Sequence, residues 1–291
     1  MTGLAVLLVV LSAFAHSGWN FLTKRASNPE VFTWAAAVSA NVLLFPLALF
    51  LLLRDPPSLA GWGFVAATWG LHLAYFTTLS RAYRHTDLSL AYPMARGTGL
   101  VLVPILGVFL LKEHVTPLAA IGIGLVVTGI FAVSAGDLLR DGVAGLGKAL
   151  RQPGVRYALA TGLIIAAYSI VDKRGVAHVT PLLYMYFLTT SATLGMPLLL
   201  RSQFTRTNVI AEWRRNARLI VVSGLLQFAA YSLVLTALTV SRVSYVAPFR
   251  EIGIVVGVLL GSILLNESFK RSRLLGAALI VAGATTIALA P

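Results

Sequence analysis

The chain has 291 residues, of which 58% are hydrophobic and 11% charged, with a formal net charge of +13 and a mean hydropathy of +0.85. Soluble domains carry roughly 25% charged residues, so this composition excludes a water-soluble globular fold and specifies a membrane protein. The lack of cysteine removes disulfides, thiolate metal sites and cysteine nucleophiles together.

Apolar runs of about 20 residues are the length a helix needs to cross the hydrocarbon core, and they lack the ten-residue alternation of barrel strands. In chain order the predicted spans are 3–22, 31–53, 60–80, 88–111, 116–135, 156–172, 179–200, 217–239, 243–265 and 273–290. The first is read as retained rather than as a signal peptide. Ala13-Phe14-Ala15 resembles a cleavage site, but Met1-Thr2-Gly3 carries no positive charge and the apolar run continues through Trp19.

The chain says nearly the same thing twice. Ser89, Pro93 and Arg96 lead into GVFLLKE at 107–113, and Ser244, Pro248 and Glu251 lead into GSILLNE at 261–267. Upstream, HSGWNFLTKR at 16–25 aligns with IAAYSIVDKR at 165–174, and LHLAYF at 71–76 with LQFAAY at 226–231. The expected architecture is therefore an all-α polytopic bundle of ten spans around a central cavity, with one repeat over 1–136, a linker over 137–155 and a second repeat over 156–291. Five spans per repeat force the second copy to enter from the opposite face, the inverted design of many secondary transporters.

Loop charges favour one face: of the 23 Lys and Arg, sixteen fall on the face of Lys24 and Arg25. Arg54, Lys112, Lys173, Arg174 and Arg242 fall on the other, and Arg96 and Arg250 lie inside spans. The positive-inside rule then places both termini outside the cytoplasm. No basic stripe with interleaved aromatics lies outside the spans, so nucleic acid is not an expected partner.

Ionisable residues within a bilayer are costly and face a bundle interior or a cavity. Arg96 and Glu251 lie about nine residues into spans four and nine, at matching places in the repeats, so inversion brings them toward one another near the midplane. Tyr92 shares the Arg96 face, and Ser244 the Glu251 face. Pro93 and Pro248 each remove a helical hydrogen bond and are expected to break their helices as hinges. Arg96 and Glu251 either pair or receive the carboxylate and ammonium of a zwitterion; a structural salt bridge or a snorkelling position is the plainer alternative. Arg250 is expected to snorkel or face lipid. His16, Trp19 and Asn20 share a face of span one, and His72 and Tyr75 a face of span three, echoed by Tyr168 in span six and by Gln227 and Tyr231 in span eight. Ordinary helix packing is the alternative for each of these. Glu113 and Glu267, at span ends, are expected to be structural, capping a turn or orienting a loop.

Once the repeat is recognised, FLLKEHVTPLAAIGIGLVVTGI and LLNESFKRSRLLGAALIVAGATTI resemble the signature that closes an EamA domain of the drug/metabolite transporter superfamily. The resemblance implies ten helices, a central cavity and alternating access. The aromatic-rich polar spans are most similar to the amino-acid exporter branch, including the YddG-type aromatic amino-acid exporters. This implies export of amino acids, aromatic and other apolar ones among them, by a multi-pass protein of the bacterial plasma (inner) membrane, with another small metabolite or drug as the alternative substrate. The resemblance also implies cytoplasmic termini, against the charge count. No cofactor or metal is expected. An intramembrane enzyme would need a nucleophile with its base or a metal cluster, and neither H-E-x-x-H nor G-x-S-x-G occurs. A channel or scaffold subunit would differ from a carrier in showing no saturable flux.

Overall fold

The computed structural model describes residues 1–86, 88–134, 152–199, 204–265 and 271–291. Most of the expected linker (137–151) and Glu267 lie outside the described residues. The described chain is helical, with α1 (Gly3–Lys24), α2 (Pro29–Arg54), α3 (Leu59–His85), α4 (Leu88–Leu111), α5 (Pro117–Ser134), α6 (Pro153–Gly175), α7 (Pro181–Leu199), α8 (Arg206–Val240), α9 (Val243–Phe249), α10 (Ile252–Leu265) and α11 (Arg271–Leu289). Each expected span coincides with one helix, except that the ninth is the pair α9–α10. Helices are the only open-ended solution here, because backbone polar groups in hydrocarbon must be satisfied within the segment. Where ends reach water, side chains finish them: Thr2, Asn28, Ser58 and Thr205 accept from the amides of Ala5, Val31, Gly61 and Asn208.

Two boundaries depart from the sequence expectation. The helix α8 starts eleven residues before the span expected at 217, but Asn216 (φ −128°, ψ 19°) interrupts it just ahead of that point. The preceding segment is therefore a separate arm, anchored by buried Glu212, which accepts from Asn28 N (3.0 Å) and Asn216 Nδ2 (2.7 Å). The second departure corrects the hinge reading: α4 runs unbroken through Pro93, whereas the second copy breaks at Arg250–Glu251, after Pro248. One missing amide bond in an otherwise intact helix is tolerated when neighbouring segments resatisfy the backbone.

Helix neighbours obey a two-fold exchange of the halves. Contact of α1 with α8 is mirrored by α6 with α3, α4 with α6 by α10 with α1, and α2 with α8 by α7 with α3; α2 meets its own counterpart α7, and α5 meets α11. The α5–α11 contact fixes the relative direction. A Cβ added at Gly122 would lie 2.8 Å from the Gly283 carbonyl, and one at Gly129 2.8 Å from the Gly276 carbonyl. The early glycine of α5 thus meets the late glycine of α11, so equivalent helices run antiparallel and the repeats are inverted. Only glycine permits this backbone approach.

The surface is apolar where lipid would lie. Along α1, Leu4, Leu7, Leu11 and Phe14 are exposed and form one stripe at helical spacing. The opposite side packs inward, with Ser12 Oγ donating to Ala230 O (2.7 Å) and Ser17 Oγ to Gly253 O (3.0 Å).

Candidate functional site

At about 100° per residue, His16 and Asn20 lie on the side of α1 opposite the Leu4–Phe14 stripe, yet both are exposed. They therefore border an accessible space inside the bundle rather than lipid. Asn20 Nδ2 donates to His16 O (2.7 Å), and Trp19 Nε1 donates to His16 Nδ1 (3.3 Å) with the rings edge-on. That bond fixes His16 Nδ1 as an acceptor.

Three charges meet at the centre. Arg96 Nη2 lies 3.7 Å and Arg250 Nε 3.9 Å from Glu251 Oε1, and the Glu251 side chain is 1% exposed while the arginines retain 18% and 17%. Neither Glu251 oxygen has a hydrogen-bond partner. Inversion supplies Arg96 from α4 and Glu251 from the α9–α10 break. Arg250, expected to snorkel or face lipid, instead turns inward, with its guanidinium 6.0 Å from the Tyr231 ring centroid. The reason is the break itself: leaving the helix at Arg250–Glu251 changes the direction in which the two neighbouring side chains project, so both serve one site.

Aromatic rings wall this cluster. Tyr92 lies under Arg96 (5.9 Å to the ring centroid), Tyr168 is 4.6 Å from His72 and 6.1 Å from Tyr75, and Tyr231 is 6.4 Å from His72. Arg96 is within electrostatic range of Tyr75, Tyr92 and Tyr168, and His16 within range of both arginines. Gln227 lies one turn before Tyr231 on α8, half-buried. The structure thus brings together His16, His72, Tyr75, Tyr92, Arg96, Tyr168, Tyr231 and Glu251. It does not bring Ser244 to them: that side chain, fully buried, donates to Glu113 Oε2 (2.5 Å).

Glu113 shows what the G-x5-E motif does in the first repeat. Its oxygens accept from Val243 N (2.8 Å) and Ser244 N (2.9 Å), so a carboxylate of the first repeat caps a helix of the second. The turn that delivers it places Lys112 in the left-handed region (φ 56°) and closes with Glu113 N donating to Gly107 O (3.1 Å). A Cβ at Gly107 would collide with the Ser244 hydroxyl.

The same face carries a cleft of about 1050 Å³ lined in part by Met1, Phe64, Glu113, Lys173, Arg174 and Arg242. Its cations finish helix ends. Lys173 Nζ donates to Leu238 O and Ser241 O (2.5 and 2.9 Å), Arg174 to Leu110 O (2.8 Å), and Arg242 to His114 O (2.8 Å). The Met1 ammonium donates to Ala290 O (2.9 Å), and burial together with Arg242 lowers its pKa from the usual value.

One group in the bundle was not singled out from the sequence. Asp172 on α6 is 0% exposed. It accepts from Thr68 Oγ1 (2.7 Å) and Tyr184 OH (2.9 Å) at Oδ1, and from Tyr231 OH (2.6 Å) at Oδ2. Lying directly before Lys173-Arg174, it reads as the start of a loop. The available signal is its i, i+4 spacing from Tyr168, on the face that turns inward. Among the described residues no three His, Asp or Glu gather as a metal site.

The family model described as the EamA-like transporter family matches residues 3–135 and again 152–289. The uncharacterized membrane protein YvaE of Bacillus subtilis (strain 168) is 33% identical over 60 residues, 21% of this chain and 49% of that protein. The chain thus spans about half the length of that curated relative. A solved structure described as "Crystal structure of protein" superimposes with a TM-score of 0.70 at 16% identity, covering 98% of this chain and 97% of its own. That likeness is one of fold.

Proposed function

The chain belongs to the EamA-like transporter family, and from that premise we propose that it exports amino acids, aromatic and other apolar ones among them, across a bacterial plasma membrane by alternating access. The observation that carries this reading is the Arg96–Glu251–Arg250 cluster inside a tyrosine wall. Two guanidiniums face one carboxylate, leaving an excess of one positive charge, and the carboxylate has no hydrogen-bond donor. A buried carboxylate with only loose ion pairs lacks the compensation that buried charges require. A zwitterion supplies both missing parts, its carboxylate between Arg96 and Arg250 and its ammonium at Glu251. The rings of Tyr75, Tyr92 and Tyr168 suit an aromatic side chain, and His16, Trp19 and Asn20 border the accessible approach.

The test is counterflow of labelled L-phenylalanine into proteoliposomes containing the purified protein, with each amino acid as competitor. Saturable exchange inhibited by aromatic and apolar amino acids is expected, together with higher tolerance of toxic amino-acid analogues in overproducing cells. Inhibition by non-zwitterionic metabolites or drugs alone would assign the cavity to another cargo of the superfamily.

A further inference from the structure

The arm of α8 that ends at Asn216 has two sides. Glu212 faces inward, bonded to Asn28 N and Asn216 Nδ2, and so seats the arm against the start of α2. Val209, Ile210 and Trp213 gather on another side at helical spacing, and Ile210 and Trp213 remain 40% and 44% exposed. With Trp34, Ala35 and Val38 of α2 they wall a groove of about 250 Å³, in which Arg214 is the charged residue of the lining. Trp34 is held in place as a wall, since its Nε1 donates to Thr193 O on α7 (2.8 Å) and its ring meets Phe204 edge-on at 5.4 Å.

One end of this groove opens onto the lipid-facing surface. Val42, Phe45 and Leu49 follow Val38 at i+4, i+7 and i+11, a single stripe along α2, and all three are exposed. The other end lies near the membrane surface. Trp34 is five and Val38 nine residues from the start of α2, or about 8 and 14 Å along its axis, which carries the groove from the headgroup layer into the outer hydrocarbon.

Positive charge collects at the surface end. Arg206, Arg214, Arg215 and Arg218 are exposed, and among the described residues none of their guanidiniums has a hydrogen bond or an ion pair. Of the acids on these two segments, Glu212 is turned inward and Glu30 stands in the first turn of α2, so an excess of positive charge remains. Tryptophan and arginine on an amphipathic segment settle at the headgroup boundary.

We propose that this groove is a binding site for one anionic phospholipid, with an acyl chain between α2 and the arm and the headgroup phosphate on Arg214. Charge complementarity selects the occupant. An apolar groove alone would accept any lipid chain, and a choline headgroup brings a cation along with its phosphate, whereas an anionic headgroup leaves its negative charge to the arginines. The bound lipid joins α2 of the first repeat to α8 of the second, and through Trp34 to α7. In the first repeat only residues 55–58 separate α2 from α3, so the equivalent position there has no arm and the site belongs to the second repeat. The inference concerns neither the cargo nor the central charge cluster.

Tryptophan fluorescence of the purified full chain in phosphatidylcholine vesicles tests this, with phosphatidylglycerol carrying brominated acyl chains as the quenching probe. Trp34 and Trp213 line the groove, so brominated phosphatidylglycerol should quench more than brominated phosphatidylcholine at the same mole fraction, and the excess should saturate. It should shrink in Trp213→Phe, which removes one reporter, and vanish in Val38→Phe, which fills the groove. Arg214→Gln should weaken the apparent affinity about fivefold, the worth of one basic residue near an anionic surface, while Arg84→Gln, at an exposed arginine of α3, should leave it unchanged. Equal quenching by the two lipids would mean ordinary boundary lipid and overturn the proposal. An excess untouched by Arg214→Gln, or lowered as much by Arg84→Gln, would mean diffuse attraction to a basic protein and overturn it equally, as would an excess that survives Val38→Phe. Should the variants fail to insert, the wild type in about 1 M salt decides, because screening must remove a preference that rests on exposed arginines; an excess that persists there would overturn the headgroup assignment.

Discussion

Helix α4 and the pair α9–α10 occupy the same place in the two repeats and carry the same Ser-x3-Pro approach, yet one is continuous and the other is broken. Proline is therefore not the cause of the break. What differs is length: Pro93 precedes Glu113 by 20 residues, while Pro248 precedes Glu267 by 19. At the break, Glu251 N donates to Pro248 O (3.1 Å), Gly253 N to Arg250 O (3.1 Å) and Ile254 N to Glu251 O (2.9 Å). These i to i−3 bonds are those of a tighter helix, which rises about 2.0 Å per residue instead of 1.5 Å. Three such residues gain roughly 1.5 Å, the rise of the one residue the second repeat lacks. A single deletion thus creates the turn that aims Arg250 and Glu251 at Arg96.

The largest expected effect comes from opening the pair across the two helices. Glu251→Ala leaves both guanidiniums uncompensated, at a cost of about 3–5 kcal/mol, while Arg96→Ala leaves Glu251 with Arg250 as its remaining partner, and transport by either should fall about 100-fold or more. The double variant should transport at least as well as the worse single one, as coupled sites do; flux at matched membrane content checks this. Full activity in both single variants would return these charges to a structural or snorkelling role.

Inserting one alanine after Glu251 restores the 20-residue spacing and removes the reason for the tight turn. The protein should still insert, but transport should drop by about 100-fold, the effect of small misplacement at a positioned site. Retained transport would separate the turn from function. Removing the cap of α9 by Glu113→Ala should lower stability by about 1–2 kcal/mol, read as a lower thermal midpoint with the central pair still coupled. Smallest of all, Pro93→Ala and Pro248→Ala should each change stability by about 1 kcal/mol or less, with the accessibility of a cysteine introduced at the α9–α10 turn unchanged. A turn that straightens in Pro248→Ala would restore proline as its cause.

The spans, the inversion and the meeting of Arg96 with Glu251 were legible because a duplicated sequence supplies its own alignment. The inward turn of Arg250 was not, since helical phase in an unbroken span assigns adjacent residues to different faces, and the deletion that cancels this phase acts through backbone geometry. Asp172 was hidden by its own repeat: its counterpart is Thr23, so no charge marks the position in the first copy, and the following Lys-Arg suggests a loop. The helix in fact continues to Gly175. Glu212 was missed similarly, in a charged segment that reads as surface until Asn28 and Asn216 are brought to it.

The glycine seam of α5 and α11 has a consequence for how such a molecule alternates. If the two repeats exchange shapes to turn the cavity from one side to the other, every helix must take up the pose of its counterpart. A pair that is its own image under that exchange has nothing to trade. Joined backbone to backbone at Gly122–Gly283 and Gly129–Gly276, it presents the same arrangement to both states, a spindle that stays still while the helices bearing arginine, glutamate and tyrosine rock around it.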